Sequence, residues 1–107
     1  GGAILPGPVT ALQTLTSRTA KLPGVELQAP PSAIGRNTVH ALQSGAVFGY
    51  AGAIEALTSR ITSELGATPT ILATGGLAAI FQPLCPSITV VEPMLTLEGL
   101  RLYESRV

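Results

Sequence analysis

From Asn37 to Leu65 the chain runs without a proline, and Gly66 follows. A proline inside a helix costs about 3 kcal/mol or more. In a sequence with 9 prolines among 107 residues, so long a gap is the strongest local constraint on the fold. Asn37 or Thr38 can cap the helix start, its side-chain oxygen accepting from an orphan backbone N–H. Gly66 suits a left-handed cap at the other end. One helix is predicted from Asn37 to Leu65, kinked at its glycines and roughly 40 Å long.

Advancing by about 100° per residue from Gly45, Thr38, Ala41, Gly49, Gly52, Ala56, Ser59 and Ser63 share its face, and all are small. Val47, Tyr50, Ile54, Leu57, Ile61 and Leu65 lie on nearly the opposite side, which is the face expected to rest on a sheet. Helical glycine costs about 1 kcal/mol relative to alanine, so the small face is expected to receive another backbone. Three readings are open: a helix of the same subunit, a second subunit, or a partner helix in a membrane, where small-residue stripes drive pairing. His40, Gln43, Ser44 and Glu55 lie in the same stretch and weigh against the membrane reading.

Around this helix the pattern is that of an α/β protein. Gly2–Leu5 is a short apolar run closed by Pro6-Gly7-Pro8 and reads as a strand parted from its partner. Val9–Leu22 reads as an amphipathic helix stopped by Pro23-Gly24, and Val25–Leu27 as a short strand. Thr70–Thr74 is an apolar strand ending in Gly75-Gly76, Leu77–Leu84 a short helix, Ile88–Val91 a second apolar strand, and Thr96–Ser105 a last helix. Strand–helix–strand with apolar strands predicts a right-handed crossover and a parallel pair.

Composition narrows the function classes. Charged residues make up 11% of the chain, hydrophobic ones 46%, and the formal net charge is zero. No basic excess points to nucleic acid or an anionic membrane. A chain this poor in charge is expected to cover apolar surface with something else. The single cysteine, Cys85, reads as buried filler, and the lack of a disulfide framework fits a cytoplasmic protein. No basic segment precedes an apolar run, so no secretory signal is expected. The start, Gly1-Gly2-Ala3-Ile4-Leu5-Pro6-Gly7, has no initiator Met and reads as the interior of a longer protein.

Two segments are candidates for chemistry. Ala73-Thr74-Gly75-Gly76 closes an apolar strand and opens a helix. That is the edge where α/β folds bind ligands, and two glycines let a ligand approach the backbone. The same residues can equally form a plain tight turn, and no Lys-Ser or Lys-Thr follows to make a phosphate loop. Ile34-Gly35-Arg36-Asn37-Thr38 leads into the long helix, where the Thr38 hydroxyl either meets a ligand or caps the helix. The chain contains no Asp, and its six acidic residues are all Glu. None pairs with another for acid–base work, so no catalytic residue and no metal site is expected within the chain.

In series, these segments resemble type III pantothenate kinases of the acetate kinase, sugar kinase, Hsp70 and actin superfamily. The matching stretches are Gly1–Gly7, Ile34–Val39, Gln43-Ser44-Gly45, Gly49-Tyr50, Ala73–Ala78 and Leu95–Leu100, in order and correctly spaced across the whole chain. The resemblance implies that residues 1–107 are the C-terminal portion of a ribonuclease-H-like, actin-like ATPase fold, with a long central helix and a short parallel strand pair. It implies ATP-dependent phosphorylation of pantothenate to 4'-phosphopantothenate, the first step of coenzyme A synthesis, by a cytoplasmic homodimer. Residue by residue it implies pantothenate contacts from Thr38 and Ile4 and nucleotide contacts from Thr74, Gly75 and Gly76. It also implies dimerisation through the small-residue face. Arg36 stands where the family usually has Lys, a charge-conserving change of shape.

The family's Asp-x-Gly-Asn phosphate motif, its Gly-Ala-Asp-Arg motif with the catalytic Asp, and its Asp-x-Gly-Thr monovalent-cation site have no counterpart in these residues. Phosphoryl transfer needs positioned phosphates, cations and a base. The resemblance therefore assigns ATP's magnesium and the potassium or ammonium ion mainly to an N-terminal half of the same protein. Two rival readings stay open: a non-catalytic regulatory or scaffold protein like the Bvg accessory factor relatives, and another kinase of the superfamily.

Overall fold

The computed structural model describes residues 1–17 and 24–106. Helix α1 (Pro8–Ser17) opens on Pro8, whose missing N–H is no loss in the first helical position. Ala11 N–H donates to the Gly7 carbonyl at 3.0 Å. The predicted continuation to Leu22 lies outside the described residues.

The long helix forms as one path in three parts: α2 (Thr38–Gln43), a π-helical segment Ser44–Gly49, and α3 (Tyr50–Leu65). Asn37 is the cap. Its Oδ1 accepts from the His40 N–H at 2.8 Å, and its Nδ2 lies 3.2 Å from His40 Nδ1. At the far end Gly66 adopts φ 69°, and its N–H reaches the Thr62 and Ser63 carbonyls. The expected glycine kink takes the form of the widened π turn, which begins and ends beside Gly45 and Gly49. Such turns arise where the ordinary ladder is interrupted, and two tethers converge here. Buried Gln43 donates from Nε2 to the Glu26 carbonyl at 3.1 Å, and Ser44 Oγ donates to the Ala33 carbonyl.

Strands β1 (Leu72–Ala73) and β2 (Val90–Val91) pair in parallel, with Leu72 opposite Val90 and Ala73 opposite Val91. Thr89 N–H to Ile71 and Glu92 N–H to Ala73 extend the ladder at 3.3 and 2.9 Å. The strands are shorter than expected, because two strands without further neighbours hold only a short ladder. The helix expected over Leu77–Leu84 is α4 (Ala78–Phe81) followed by a 3₁₀ turn, Gln82–Leu84. Pro83 supplies no N–H, so the α-helical ladder cannot pass through it. Helix α5 (Leu95–Arg106) follows β2. Gly2–Leu5 and Val25–Leu27 are not strands. Val25 and Leu27 are nevertheless half-buried between exposed neighbours, an alternation that persists without a ladder.

Val47, Ala51, Phe81, Cys85 and Ile88 form the core, with the Tyr50 ring tilted against Phe81 at 5.3 Å between centroids. The predicted apolar face of the long helix is the one that meets it, through Val47, Tyr50 and Ile54. Ile61 and Leu65 run past the core and are exposed. The opposite face is uncovered: Gly45, Gly49, Gly52, Ala56, Ser59 and Ser63 are all exposed, and a Cβ added at any of the three glycines meets nothing within 4 Å. Gly45 and Gly49 border a shallow hollow shared with Leu5, Pro6, Pro8 and Ala11 at the start of α1, and beyond it the stripe is open among the described residues. Among the described residues no helix is long and apolar enough to cross a membrane.

Candidate functional site

The turn after β1 carries the most developed site. Gly75 takes φ 100°, a conformation that side chains with a Cβ rarely adopt. Its carbonyl accepts from Ala78 N–H at 3.3 Å, closing the turn. Neither Gly75 nor Gly76 has an atom within 4 Å of where a Cβ would stand, so the backbone faces open space. Thr74, Gly75 and Gly76 line a cavity of about 380 Å³, whose apolar walls come from Tyr50, Ile54, Phe81 and Ile88. Gly7 and Pro8 close one side, so the segment before α1 meets the turn although about seventy residues separate them in sequence.

The sequence marked the Thr74–Gly76 edge but not its walls. Tyr50 and Ile54 are one helical turn apart on the face predicted to be apolar, a signal that was available. Pro8 and Ile88 carried none. Because α4 is a single turn, it adds little to the anion affinity expected of a helix start; the cavity is a slot for a flat apolar body more than a phosphate cradle.

Ile88 is held from behind. The Glu55 carboxylate on α3 accepts from Ser87 Oγ–H at 2.6 Å and from Ser87 N–H at 3.2 Å, fixing the start of β2 against the long helix. Cys85 is fully buried, as expected for filler, with Sγ 3.8 Å from the Ala51 carbonyl. Burial pushes its thiol above the ordinary range, and the Glu55 charge pushes it further.

The second candidate segment is spread out. Thr38 lies with Gly35, Arg36, Asn37, Ala41 and Leu42 around a shallow open depression. Asn37 takes the capping role, so capping no longer accounts for Thr38. Gly35 has a role that the sequence did not disclose: a Cβ there would collide with the backbone of His40 and Ala41, so the loop crosses the first turn of α2 at a distance only glycine permits. Ile4 is fully exposed, and it does not line the depression around Thr38. Among the described residues, no group of three His, Cys, Asp or Glu side chains is placed to hold a metal ion.

A parallel strand pair with helices around it and a cavity at its carboxyl edge defines an α/β fragment. Residues 1–60 match the model of the type III pantothenate kinase family. Across 97% of its length the chain is 52% identical to the type III pantothenate kinase of Roseiflexus sp. (strain RS-1). It is 55% identical over its whole length to that of Thermomicrobium roseum, and 45% identical over 99% to that of Anaeromyxobacter sp. (strain Fw109-5). This chain belongs to the type III pantothenate kinase family. It spans 41% or 42% of the length of each of these relatives.

Proposed function

We propose that the chain is the C-terminal portion of an enzyme that phosphorylates pantothenate with ATP, yielding 4'-phosphopantothenate on the way to coenzyme A in the cytoplasm. The observation that carries this reading is the glycine turn at the carboxyl edge of β1, opening on an apolar cavity, in a chain of this family. A cavity of about 380 Å³ falls within the range of small-molecule sites, about 300–1,000 Å³. Its Tyr50, Ile54, Phe81 and Ile88 walls suit the faces of a nucleobase. In this reading Gly75 and Gly76 admit the nucleoside, and the Thr74 hydroxyl offers it a hydrogen bond. Thr38 and Ile4 contact pantothenate once the rest of the protein and a second subunit are in place, and the small face of the long helix forms the dimer contact. The complete protein has a ribonuclease-H-like, actin-like ATPase fold.

The residues present fit a nucleoside but not its metal. No described carboxylate cluster can hold magnesium, and the chain's acidic residues are engaged otherwise or dispersed. Magnesium, the monovalent cation, the phosphate-binding groups and the base are assigned to the N-terminal half. The reading is tested with Gly75→Val in the complete enzyme. A branched side chain at φ 100° strains the turn and projects into the cavity. The expected result is a Michaelis constant for ATP raised at least about tenfold, as loss of roughly 1.4 kcal/mol of binding implies, with the dimer intact. Unchanged ATP kinetics in a folded variant would leave the turn purely structural.

A further inference from the structure

The cavity beside the glycine turn has apolar walls from two separate stretches of chain. Tyr50 and Ile54 come from α3, one helical turn apart, and Ile88 comes from the segment that leads into β2. The spacing of these walls depends on how that segment is held to the helix. Apolar packing brings the two together, since Ala51 and Ile88 share the core. Burial of apolar surface is non-directional, however. It draws the segment onto α3 without fixing its register along the helix.

Hydrogen bonds supply the direction. Cys85 Sγ lies 3.8 Å from the Ala51 carbonyl, and a thiol is a weak donor. The stronger tie is at Glu55, whose Oε1 accepts from Ser87 Oγ–H at 2.6 Å and from Ser87 N–H at 3.2 Å. Bonds to an ionised acceptor are short and roughly twice as strong as neutral ones. Two of them on one oxygen fix both the side chain and the backbone of Ser87. Ala51 and Glu55 are four residues apart and so lie on one face of α3, beside the face that carries Tyr50 and Ile54. Glu55 and Ser87 are both half-buried, and neither lines the cavity, but the sequence neighbour of each does: Ile54 on the helix and Ile88 on the segment. Burying part of a carboxylate costs hydration. An apolar side chain at residue 55 would avoid that cost; what it would lack is direction.

We propose that Glu55 is a positioning residue for the nucleotide: through Ser87 it holds Ile88 at the spacing from Tyr50 and Ile54 that grips the faces of the base. This rests on the reading of the cavity as the nucleoside site of a pantothenate kinase. Glu55 stands behind the wall and acts through Ile88. The grip is on the base and not on the transferred phosphoryl group, so it is the same before and during reaction. Loss of such uniform binding raises KM and leaves kcat in place.

The test uses the complete enzyme, with steady-state kinetics and calorimetric titration of ADP on each variant. Glu55→Ala is expected to raise both the KM for ATP and the Kd for ADP at least about fivefold, the factor set by loss of one hydrogen bond's worth of positioning. Its kcat and its KM for pantothenate are expected to stay within about twofold of wild type. Glu55→Gln keeps an acceptor oxygen and is expected to restore ATP and ADP binding to within about twofold of wild type. Unchanged ATP and ADP binding in a folded Glu55→Ala overturns the proposal, as does an equal rise in both Michaelis constants, which would mark general damage. Glu55→Gln as impaired as Glu55→Ala overturns it too. Should Glu55→Ala fail to fold, Ser87→Ala decides: it removes only the 2.6 Å bond, and an unchanged Kd for ADP overturns the proposal. Absence of pantothenate-dependent ADP release from wild type would sink the kinase reading alone, and the ADP affinities would still decide the role of Glu55.

Discussion

Replacing Gly49 and Gly52 together by Leu in the complete kinase gives opposite signs for the two accounts of the small face. In the described chain an added Cβ at either site meets nothing within 4 Å. If that face stayed in water, the substitutions would only improve helix propensity, by about 0.8 kcal/mol each, and the protein would gain about 1.5 kcal/mol. If the face meets a partner's backbone, each leucine overpacks the contact at about 1–3 kcal/mol. With about 1.4 kcal/mol per tenfold in Kd, the double variant then weakens the dimer by at least about tenfold. The expected outcome is a folded protein whose dimer dissociates at higher concentration, read by light scattering after size exclusion, with helicity retained in circular dichroism. A dimer of unchanged Kd and raised stability would refute the interface. Loss of folding would refute it as well, and would mean that the enzyme's own remaining residues cover the stripe.

Glu55→Ala removes Oε1, the one oxygen that accepts both hydrogen bonds from Ser87, and is expected to cost about 1–3 kcal/mol in urea unfolding, while Glu55→Gln, which keeps one carbonyl oxygen, costs less. A second prediction concerns pH. The folded state holds the Cys85 proton more tightly than the unfolded chain does, so this contribution to stability is complete below the ordinary thiol value of 9.0. It is lost as pH rises from there toward the folded value, by at most about 1.4 kcal/mol per unit. Wild type should therefore lose stability above pH 9 more steeply than Cys85→Ala; parallel curves would show that the thiol does not titrate differently in the two states.

The long helix was legible in the sequence because its determinants are local: no proline, an Asn cap, a glycine stop. Its π turn was not, since that depends on Gln43 reaching Glu26 and Ser44 reaching Ala33 across loops. The Thr74–Gly76 turn was legible as an apolar run closed by two glycines, whereas the Pro8 side of its cavity required the tertiary path of the chain. Glu55 looked idle in the sequence because Ser87, its partner, is 32 residues away. The strands shrank, and Gly2–Leu5 formed none, for one reason: an apolar pattern records what a segment can bury, and a ladder forms only where a neighbour is present.

The glycines sharpen that distinction. Gly66 and Gly75 are required by their positive φ angles, and Gly35 by the backbone of α2 beside it. Each of these has its reason inside the described chain. Gly45, Gly49 and Gly52 have none: they are helical and exposed, with open space at the Cβ position. They carry a propensity cost of about 3 kcal/mol in total, a sizeable part of the 5–15 kcal/mol by which domains are typically stable. A cost that the described residues do not offset at the Cβ positions calls for a partner surface there. The large side chains of α5 face the converse problem, apolar bulk with nothing to fill against. A flat, small-residue helix face suits the close approach of another helix, and a broad leucine arc suits a core. The two exposed surfaces thus call for different occupants.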